Sequence, residues 1–361
     1  MKLTAEGCRA RQQSLLEQMQ VYGVSEAVLA DPCHVLYLSG FETPAFQYSA
    51  VLLDSRGKCT LACGVAAPDA AADEVVAVPA RVYSTVHLDH SRRIAEALAR
   101  LLGQQKGLLG LDRSCRPPYL AEGAEGAVDL SSILFEMRRR KGPDELRLIR
   151  EAIRINEVCF ERARQIIAPG ISELEVYAEL YRAAVLAAGE RLDALGNDFQ
   201  SGTEGGPPRN RKIAAGELFI LDLGARYGGY YSDGCRTFPV GEVTDRQRSA
   251  WSDVAEALSF VEENAVAGYS CRRLDREVRR QLKERWPGAF QHHLGHGIGL
   301  VPHERPNLNP HWNHNLEEGD VITIEPGVYQ PDLRGGVRLE EVYRVTATGL
   351  EKLTSFPLDL D

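Results

Sequence analysis

The sequence predicts two domains, a mixed α/β domain followed by an α+β domain. Its 361 residues exceed one small module, since domains usually run to roughly 100–200 residues. Up to about residue 140, short apolar runs alternate with helical stretches, whereas the remainder groups its helices before and between strand-like runs. The Gly142-Pro143 breaker separates the two patterns, so we expect domains at 1–141 and 142–361.

The first domain is predicted from short apolar runs that suit strands. A polar, helix-patterned segment opens the chain. The strand-like runs are 26–30, 49–54, 58–63, 74–79 and 107–112. Helical spacing over 91–102 indicates a helix with Ser91 as its N-cap. Pro117-Pro118 then interrupts the pattern before VDLSSIL (128–134), which is typical of a short strand.

The second domain opens with two predicted helices. Pro143 suits the first helical position, and the apolar residues of 144–167 recur at helical spacing. Ser172 and Glu175 have capping-box spacing, which indicates a second helix that ends at Gly189. Strand-like runs follow at 218–224, 230–240, 320–329 and 336–346, with helical stretches at 245–264 and 272–284 between the two pairs.

Composition excludes several classes of protein. Lys and Arg number 42 against 51 for Asp and Glu, so a net charge of −9 gives no field that attracts nucleic acid or anionic membranes. No apolar run is long enough for a membrane span, and the start lacks the apolar block of a signal peptide. The eight cysteines are scattered, which favours reduced thiols. We therefore expect a cytoplasmic globular protein with neither a nucleic-acid nor a membrane partner.

Asp222 and Asp233 are the first candidate site residues. A hairpin centred between Tyr227 and Gly228 would place these two aspartates directly opposite each other. Opposed residues have Cβ atoms about 4.5–5.5 Å apart, where like charges repel, and a bound cation would remove that penalty. The alternative is a different register with both aspartates solvated.

Glu325, Glu340 and His296 extend this candidate cluster. Both glutamates have apolar neighbours on strand-like runs, and a hairpin through PDLRGG (331–336) can bring them together. Arg338 alternates onto the Glu340 face, so a surface Glu-Arg ladder is the alternative. His296 lies in the glycine-rich run HHLGHGIG, where glycines permit close approach of other segments, although a structural role for this histidine is the alternative.

The candidate donors suit divalent cations. Four carboxylates and one imidazole carry a formal charge of −4, which two divalent ions neutralise. Oxygen ligands with a single nitrogen favour manganese, cobalt, iron or zinc over copper, and the absence of thiolates argues against a structural zinc site.

Four motifs carry a resemblance to a known family. They are LDLGARYGGYYSDGCRTFPV (221–240), HHLGHGIGLVPHE (292–304), ITIEPGVY (322–329) and GVRLEEVYRVT (336–346). In their order along the chain and in the residues of each motif, they strongly resemble the pitta-bread metallopeptidases. This family includes aminopeptidase P, prolidase, methionine aminopeptidase and the metal-free creatinase. The resemblance implies a C-terminal pitta-bread catalytic domain over 142–361 and an N-terminal creatinase-type α/β domain.

The resemblance also implies a role for each motif residue. Asp222, Asp233, His296, Glu325 and Glu340 would be the ligands of a dinuclear centre, with manganese as the first choice of metal and cobalt, zinc or iron as alternatives. Asp233 and Glu340 would bridge the ions, with Asp222 and His296 on opposite metals. Glu325 would also be the general base that takes a proton from the activated water.

Three further residues take roles from the same resemblance. His303 is similar to the histidine that contacts the substrate carbonyl, and His292 to the one that lines the specificity pocket. Arg338 would orient Glu340. His293, His311 and His314 have no clear counterpart in the family, and we expect them to be surface or loop residues.

One departure from the family pattern concerns the substrate. Proline-specific members usually carry a further histidine before the first ligand aspartate, but this chain has no histidine from 91 through 291. Arg209, near the expected position, could supply the missing donor, or the substrate could differ. The resemblance therefore implies an Xaa-Pro dipeptidase or aminopeptidase that takes short proline-containing peptides, and a homodimer. A creatinase-like hydrolase of a non-peptide C–N bond and a non-catalytic binding protein are the alternatives.

Overall fold

The computed structural model describes residues 1–102, 107–113 and 126–360. It divides into two compact units, Met1–Arg138 with Gly142–Asp144 and Arg139–Lys141 with Glu145–Asp361. The predicted boundary between residues 141 and 142 stays a prediction. Cys115 and the Pro117-Pro118 break lie outside the described residues. In the described ranges no helix combines the length and the apolar character that a membrane crossing needs.

The first unit is a mixed sheet with helices. Its elements are α1 (Ala5–Val21), β1 (Val24–Leu29), α2 (Pro32–Ser39), β2 (Ser49–Asp54), β3 (Cys59–Cys63), β4 (Glu74–Ala77), β5 (Arg81–Val82), β6 (Thr85–Val86), α3 (His90–Ala99), β7 (Leu108–Leu111), β8 (Val128–Asp129) and α4 (Ser131–Met137). Six strands form one sheet in the order β4-β3-β2-β1-β7-β8 within the described part of the unit. The five strand-like runs predicted for this domain are confirmed as strands.

Two local predictions in this unit are wrong. Helix α3 begins at His90 with Asp89 in the N-cap position, so Ser91 lies inside the helix. Only the first two residues of VDLSSIL form a strand; Leu130 is the N-cap of α4, and the last four residues belong to that helix. The Asp129 carboxylate accepts a hydrogen bond from the Ser131 backbone N–H at 2.9 Å, which turns the chain into the helix.

Four helices of the second domain were predicted and are confirmed. They are α5 (Pro143–Ile166), α6 (Glu173–Ala188), α7 (Asp245–Asn264) and α8 (Cys271–Arg285). At the start of α6 the Ser172 side chain accepts from the Glu175 N–H while the Glu175 side chain accepts from the Ser172 N–H. Gly189 ends α6 in the left-handed conformation.

The strands of the second unit form several small sheets. They are β9 (Asp198–Ser201), β10 (Leu218–Asp222), β11 (Arg226–Tyr227), β12 (Tyr230–Tyr231), β13 (Cys235–Pro239), β14 (Gly295–Gly297), β15 (Glu304–Leu308), β16 (Val321–Ile324), β17 (Gly327–Gln330), β18 (Gly335–Arg338), β19 (Glu341–Thr346) and β20 (Gly349–Lys352), with a 3₁₀ turn at Pro331–Leu333. A five-stranded sheet has the order β15-β14-β16-β19-β20, and a three-stranded sheet has the order β13-β10-β9.

The core of the second unit lies between its helices and the five-stranded sheet. Leu258 of α7 and Leu282 of α8 are buried in one apolar cluster with Ile324 of β16 and Tyr343 of β19. Burial of these side chains stabilises β16 and β19, the strands next to the candidate residues Glu325 and Glu340.

The hairpin through Asp222 and Asp233 has a different register from the predicted one. Asp222 pairs with Cys235, so the register is shifted by two residues. The turn is centred on Gly228-Gly229, whose φ values are +55° and +89°. Glycine adopts such angles at little cost, and tight hairpins that match strand twist require them, which explains why the turn is centred there.

Glu325 and Glu340 lie between two paired segments. Ile324 pairs with Glu341 in one ladder, and Gly327 pairs with Arg338 in the next, with the same register on both sides. The prediction that this hairpin brings the two glutamates together is therefore confirmed.

Candidate active site

The second unit contains a cleft of about 630 Å³. Helix α6, the segment that follows it, and the strands of the two hairpins line this cleft. All the residues that the sequence named as ligands or catalytic residues line it, namely Asp222, Asp233, His292, His296, His303, Glu325, Arg338 and Glu340.

Asp222 and Asp233 meet even though the register differs from the prediction. A shift by two residues keeps both side chains on one face of the hairpin, where diagonal neighbours remain within reach. The two carboxyl groups are close enough to share a hydrogen bond when one is protonated. The hairpin therefore presents a carboxylate pair to the cleft.

His296 presents a free nitrogen lone pair to two carboxylates. Its Nδ1 lies 3.0 Å from the Gly297 carbonyl oxygen, which accepts the ring proton, so the Nε2 of the neutral ring is unprotonated. That Nε2 lies 3.7 Å from Asp233 Oδ2 and 3.5 Å from Glu325 Oε1. Burial lowers the pKa of His296 to about 4, so the ring is neutral at pH 7. A lone pair that faces oxygen acceptors is the arrangement of a ligand set.

Glu340 completes a compact donor group. One donor atom each from Asp233, His296 and Glu340 lies within 4.8 Å of the other two. The Glu340 side chain is buried, and its Oε2 has no hydrogen-bond partner within the described residues. A buried carboxylate oxygen without a partner is costly, so these residues fit a cation.

The electrostatics of the metal-free site are unfavourable. Burial raises the pKa of Asp222 to about 7, although the Arg338 charge opposes the rise. Burial, and then repulsion from neighbouring carboxylates, raise the pKa values of Asp233 and Glu340 well above their usual range. Burial also acts to raise the pKa of Glu325, but the His293 hydrogen bond and nearby imidazole charges outweigh it and hold that pKa at about 2.

The contribution of Asp222 to the stability of the metal-free protein is expected to fall as pH rises from about 4 to about 7. Asp222 has a usual pKa of 3.8 and a folded value of about 7, so its protonated form stabilises the fold below pH 4 and this contribution is lost by pH 7. The measurement is the difference in melting temperature between metal-free wild type and Asp222→Asn, which should fall with pH in that window. A difference that stays constant from pH 4 to pH 8 would contradict this electrostatic picture.

Arg338 lies on the predicted face but has different partners. Its Nη2 is 3.1 Å from Asp222 Oδ2 and also contacts the Asp198 carboxylate, while its Nη1 donates to the Tyr329 hydroxyl at 3.3 Å. Asp198 faces Asp222 across the β9–β10 ladder. The expectation that Arg338 orients Glu340 is therefore corrected, because the guanidinium holds Asp222 and Asp198 instead. Glu341 points away and pairs with Arg236 and Lys352.

The cleft histidines differ in how their nitrogens are used. His292 Nδ1 lies 2.9 Å from the His293 carbonyl oxygen, and its Nε2 lies 2.7 Å from the Tyr329 hydroxyl. His303 stacks on His296 with ring centroids 3.7 Å apart and is exposed to the cleft. Within the described residues neither ring nitrogen of His303 has a hydrogen-bond partner, so this imidazole can serve a bound molecule.

His293 is the main functional candidate that sequence reasoning missed. It was expected to be a surface or loop residue without a role in the site; it does lie in a loop segment, but its Nε2 donates to Glu325 Oε1 at 2.8 Å and the residue lines the cleft. Its position beside His292 in HHLGH was the available signal. His311 is exposed, and the His314 Nδ1 accepts from the Asn307 backbone N–H; neither lines the cleft.

Residues 199–221, the stretch in which the family pattern has its further histidine, contribute no residue to the lining of the cleft. Arg209, the suggested replacement, binds Glu173 at 2.6 and 2.8 Å and does not line the cleft. Gly196, Asn197 and Asp198, which precede this stretch, do line the cleft. The proposed role of Arg209 as a substrate donor is therefore wrong.

The fold and this donor set define a class of protein. A carboxylate-rich cleft with one buried, neutral imidazole, carried on paired strands, is the construction of a metalloenzyme rather than of a structural metal site.

The comparisons with known proteins identify the family. The model of metallopeptidase family M24 matches residues 147–347, and that of the creatinase/prolidase N-terminal domain matches 11–139. The chain belongs to metallopeptidase family M24 and has the pitta-bread fold. The resemblance found in the four motifs is thereby confirmed.

Relatives match along most of the chain. An Xaa-Pro dipeptidase of Pyrococcus horikoshii is 28% identical over 355 residues, which is 96% of this chain and 97% of that protein. An Xaa-Pro dipeptidase of Pyrococcus furiosus is 34% identical over 235 residues, 64% of this chain and 67% of that protein. The solved structure of an Xaa-Pro dipeptidase from Bacillus anthracis has a TM-score of 0.82 at 27% identity and covers 99% of both chains.

Proposed function

We propose that this chain is a metal-dependent exopeptidase that hydrolyses the peptide bond before proline in short Xaa-Pro substrates. The observation that carries the proposal is the cleft in which Asp233, His296 and Glu340 form a compact donor group beside Glu325. Xaa-Pro dipeptidases among the relatives support the choice of substrate.

Two divalent cations would be held by Asp222, Asp233, His296, Glu325 and Glu340, with manganese as the first choice and cobalt, zinc or iron as alternatives. When bound, such ions lower the pKa of water and polarise a substrate carbonyl. The Glu340 oxygen without a hydrogen-bond partner and the raised carboxylate pKa values support this assignment. Bound cations would offset both the cost of the unpaired buried oxygen and the repulsion between the carboxylates.

The residues of the chain supply positioning and proton transfer. Glu325 accepts a proton from the attacking water while the water oxygen bonds to the carbonyl carbon of the Xaa residue. The C–N bond to proline then breaks, and Glu325 returns the proton to the leaving nitrogen. His303, whose nitrogens are unpaired in the described structure, contacts the substrate carbonyl, and His292 lines the pocket. Arg338 fixes the orientation of Asp222.

The test is hydrolysis by protein that has been stripped of metal and then reconstituted with manganese, cobalt or zinc. We expect cleavage of Xaa-Pro dipeptides or Xaa-Pro-Xaa tripeptides that metal restores, and no cleavage of matched Xaa-Ala peptides. The ratio of dipeptide to tripeptide cleavage separates a dipeptidase from an aminopeptidase.

Creatine belongs in the same panel because the cleft wall formed by Gly196, Asn197 and Asp198 has no imidazole. Turnover of creatine without peptide cleavage would replace the proposal with a creatinase-like hydrolase of a non-peptide C–N bond. The homodimer and the cytoplasmic location stay predictions, and light scattering tests the first.

A further inference from the structure

His293 makes a direct hydrogen bond to the candidate general base. Its Nε2 lies 2.8 Å from Glu325 Oε1, and the imidazole is about one-third exposed to the cleft. We propose that His293 is a positioning residue, which fixes one oxygen of Glu325 so that the other oxygen stays directed at the reacting water. This inference rests on the proposed function for the role of Glu325.

The other nearby imidazoles do not donate to Glu325. His292 directs its Nδ1 to the His293 carbonyl oxygen at 2.9 Å and lies 3.6 Å from Glu325 Oε2, beyond hydrogen-bond distance. His296 directs its Nδ1 proton to Gly297, so its Nε2 has no proton to give. His293 is therefore the hydrogen-bond donor that selects a Glu325 rotamer.

The backbone supports this contact from both sides. The Glu325 N–H donates to the Leu294 carbonyl oxygen at 2.8 Å, which ties the residue after His293 to Glu325. A Cβ on Gly295 would lie 2.0 Å from the Thr323 carbonyl oxygen, so only glycine permits this approach of the two segments. The imidazole thus reaches the carboxylate from the segment directly before β14, which these contacts hold against Glu325.

A fixed carboxylate rotamer has consequences for rate and for metal binding. Glutamate has three side-chain torsions, and fixing them costs conformational entropy. Because the His293 hydrogen bond already fixes them in the free protein, this cost does not arise again when metal or substrate binds. Partners that orient a ligand in this way are typically worth about 10–100-fold in metal affinity or activity. Loss of the His293 donor should therefore lower kcat and metal affinity together.

The experiment compares three substitutions of His293 in the full-length chain. Glutamine places its Nε2 donor near the position of the imidazole Nε2, asparagine places its donor nearer Nδ1, and leucine has no donor. We expect His293→Leu and His293→Asn to lower kcat about 10–100-fold with KM changed less than about 3-fold, and His293→Gln to restore most of the rate. His311→Leu, an exposed histidine outside the cleft, is the matched control.

A second readout is independent of the substrate. Calorimetric titration of the metal-free variants with manganese should show a dissociation constant about 10-fold weaker for His293→Leu, near wild type for His293→Gln and unchanged for His311→Leu. Thermal unfolding of each metal-free variant checks the fold.

Three results would overturn the proposal. The first is a wild-type kcat and a wild-type manganese affinity in His293→Leu. The second is equal impairment of His293→Gln and His293→Leu. The third is a raised KM with unchanged kcat in His293→Leu, which would make His293 a substrate contact. If the wild type cleaves no Xaa-Pro peptide, the proposed function fails, while the manganese titrations still decide whether His293 holds Glu325.

Discussion

The Asp233→Ala variant is expected to lose measurable turnover and part of its bound metal while it keeps its fold. Asp233 contributes to the compact donor group with His296 and Glu340, and it is the proposed bridge between two cations. Charge stabilisation by metal is worth several kcal/mol, so a fall of at least about 10³-fold in kcat/KM is expected. Elemental analysis of metal per chain, together with peptide hydrolysis, measures both effects.

The fold of this variant should survive because the lost carboxylate is unfavourable without metal. Burial and neighbouring carboxylates raise the pKa of Asp233, so its removal relieves repulsion in the metal-free protein. Asp193→Ala is the matched control, since Asp193 also lines the cleft but is neutralised by Arg191 and Arg226. The control should keep its metal content. Full activity in Asp233→Ala would refute the dinuclear mechanism.

The Glu325→Gln variant is expected to keep much of its metal and lose its rate. Glutamine has the shape of glutamate and retains a carbonyl oxygen that can accept from His293, but it cannot take a proton. General-base catalysis is typically worth about 10²–10⁴-fold, and a loss of that size in kcat is the expected result. The measurement is kcat on an Xaa-Pro substrate at saturating manganese, with the metal content of the same sample.

A matched control for this change is Glu318→Gln, an exposed glutamate outside the cleft, which should not alter kcat. If Glu325→Gln retained the wild-type rate, another group would have to be the base. If it lost metal as completely as Asp233→Ala, the rate loss would be explained by ligation alone.

The helices and most strands could be predicted because their signals are local. The capping box of Ser172 and Glu175 lies within four residues, and the long helix that begins at Pro143 carries its apolar stripe in its own sequence. The segment 128–134 was mistaken for a strand because a short apolar run suits either state, and the turn at Asp129 decided for helix.

The hairpin of Asp222 and Asp233 shows where local reasoning ends. The sequence indicated a tight turn near RYGG, but the centre of the turn depends on which residues adopt positive φ, and Gly228-Gly229 do so. A shift by two residues preserves the face of each side chain, so the carboxylate pair was predicted although the register was wrong. A shift by one would have separated the pair.

By itself, the sequence determined the family, the two-domain class and the types of metal-ligand group that the cleft offers. The residues of a motif, their chemistry and the alternation along a strand are all properties of short segments. Tertiary structure alone decided that Arg338 holds Asp198 and Asp222, that Arg209 is occupied by Glu173, and that His293 reaches Glu325. Those partners lie 32 to 140 residues apart, and long side chains choose among several acceptors within reach. The pairing of strands and the packing around them select one acceptor, and this choice cannot be read from the spacing of residues along the chain.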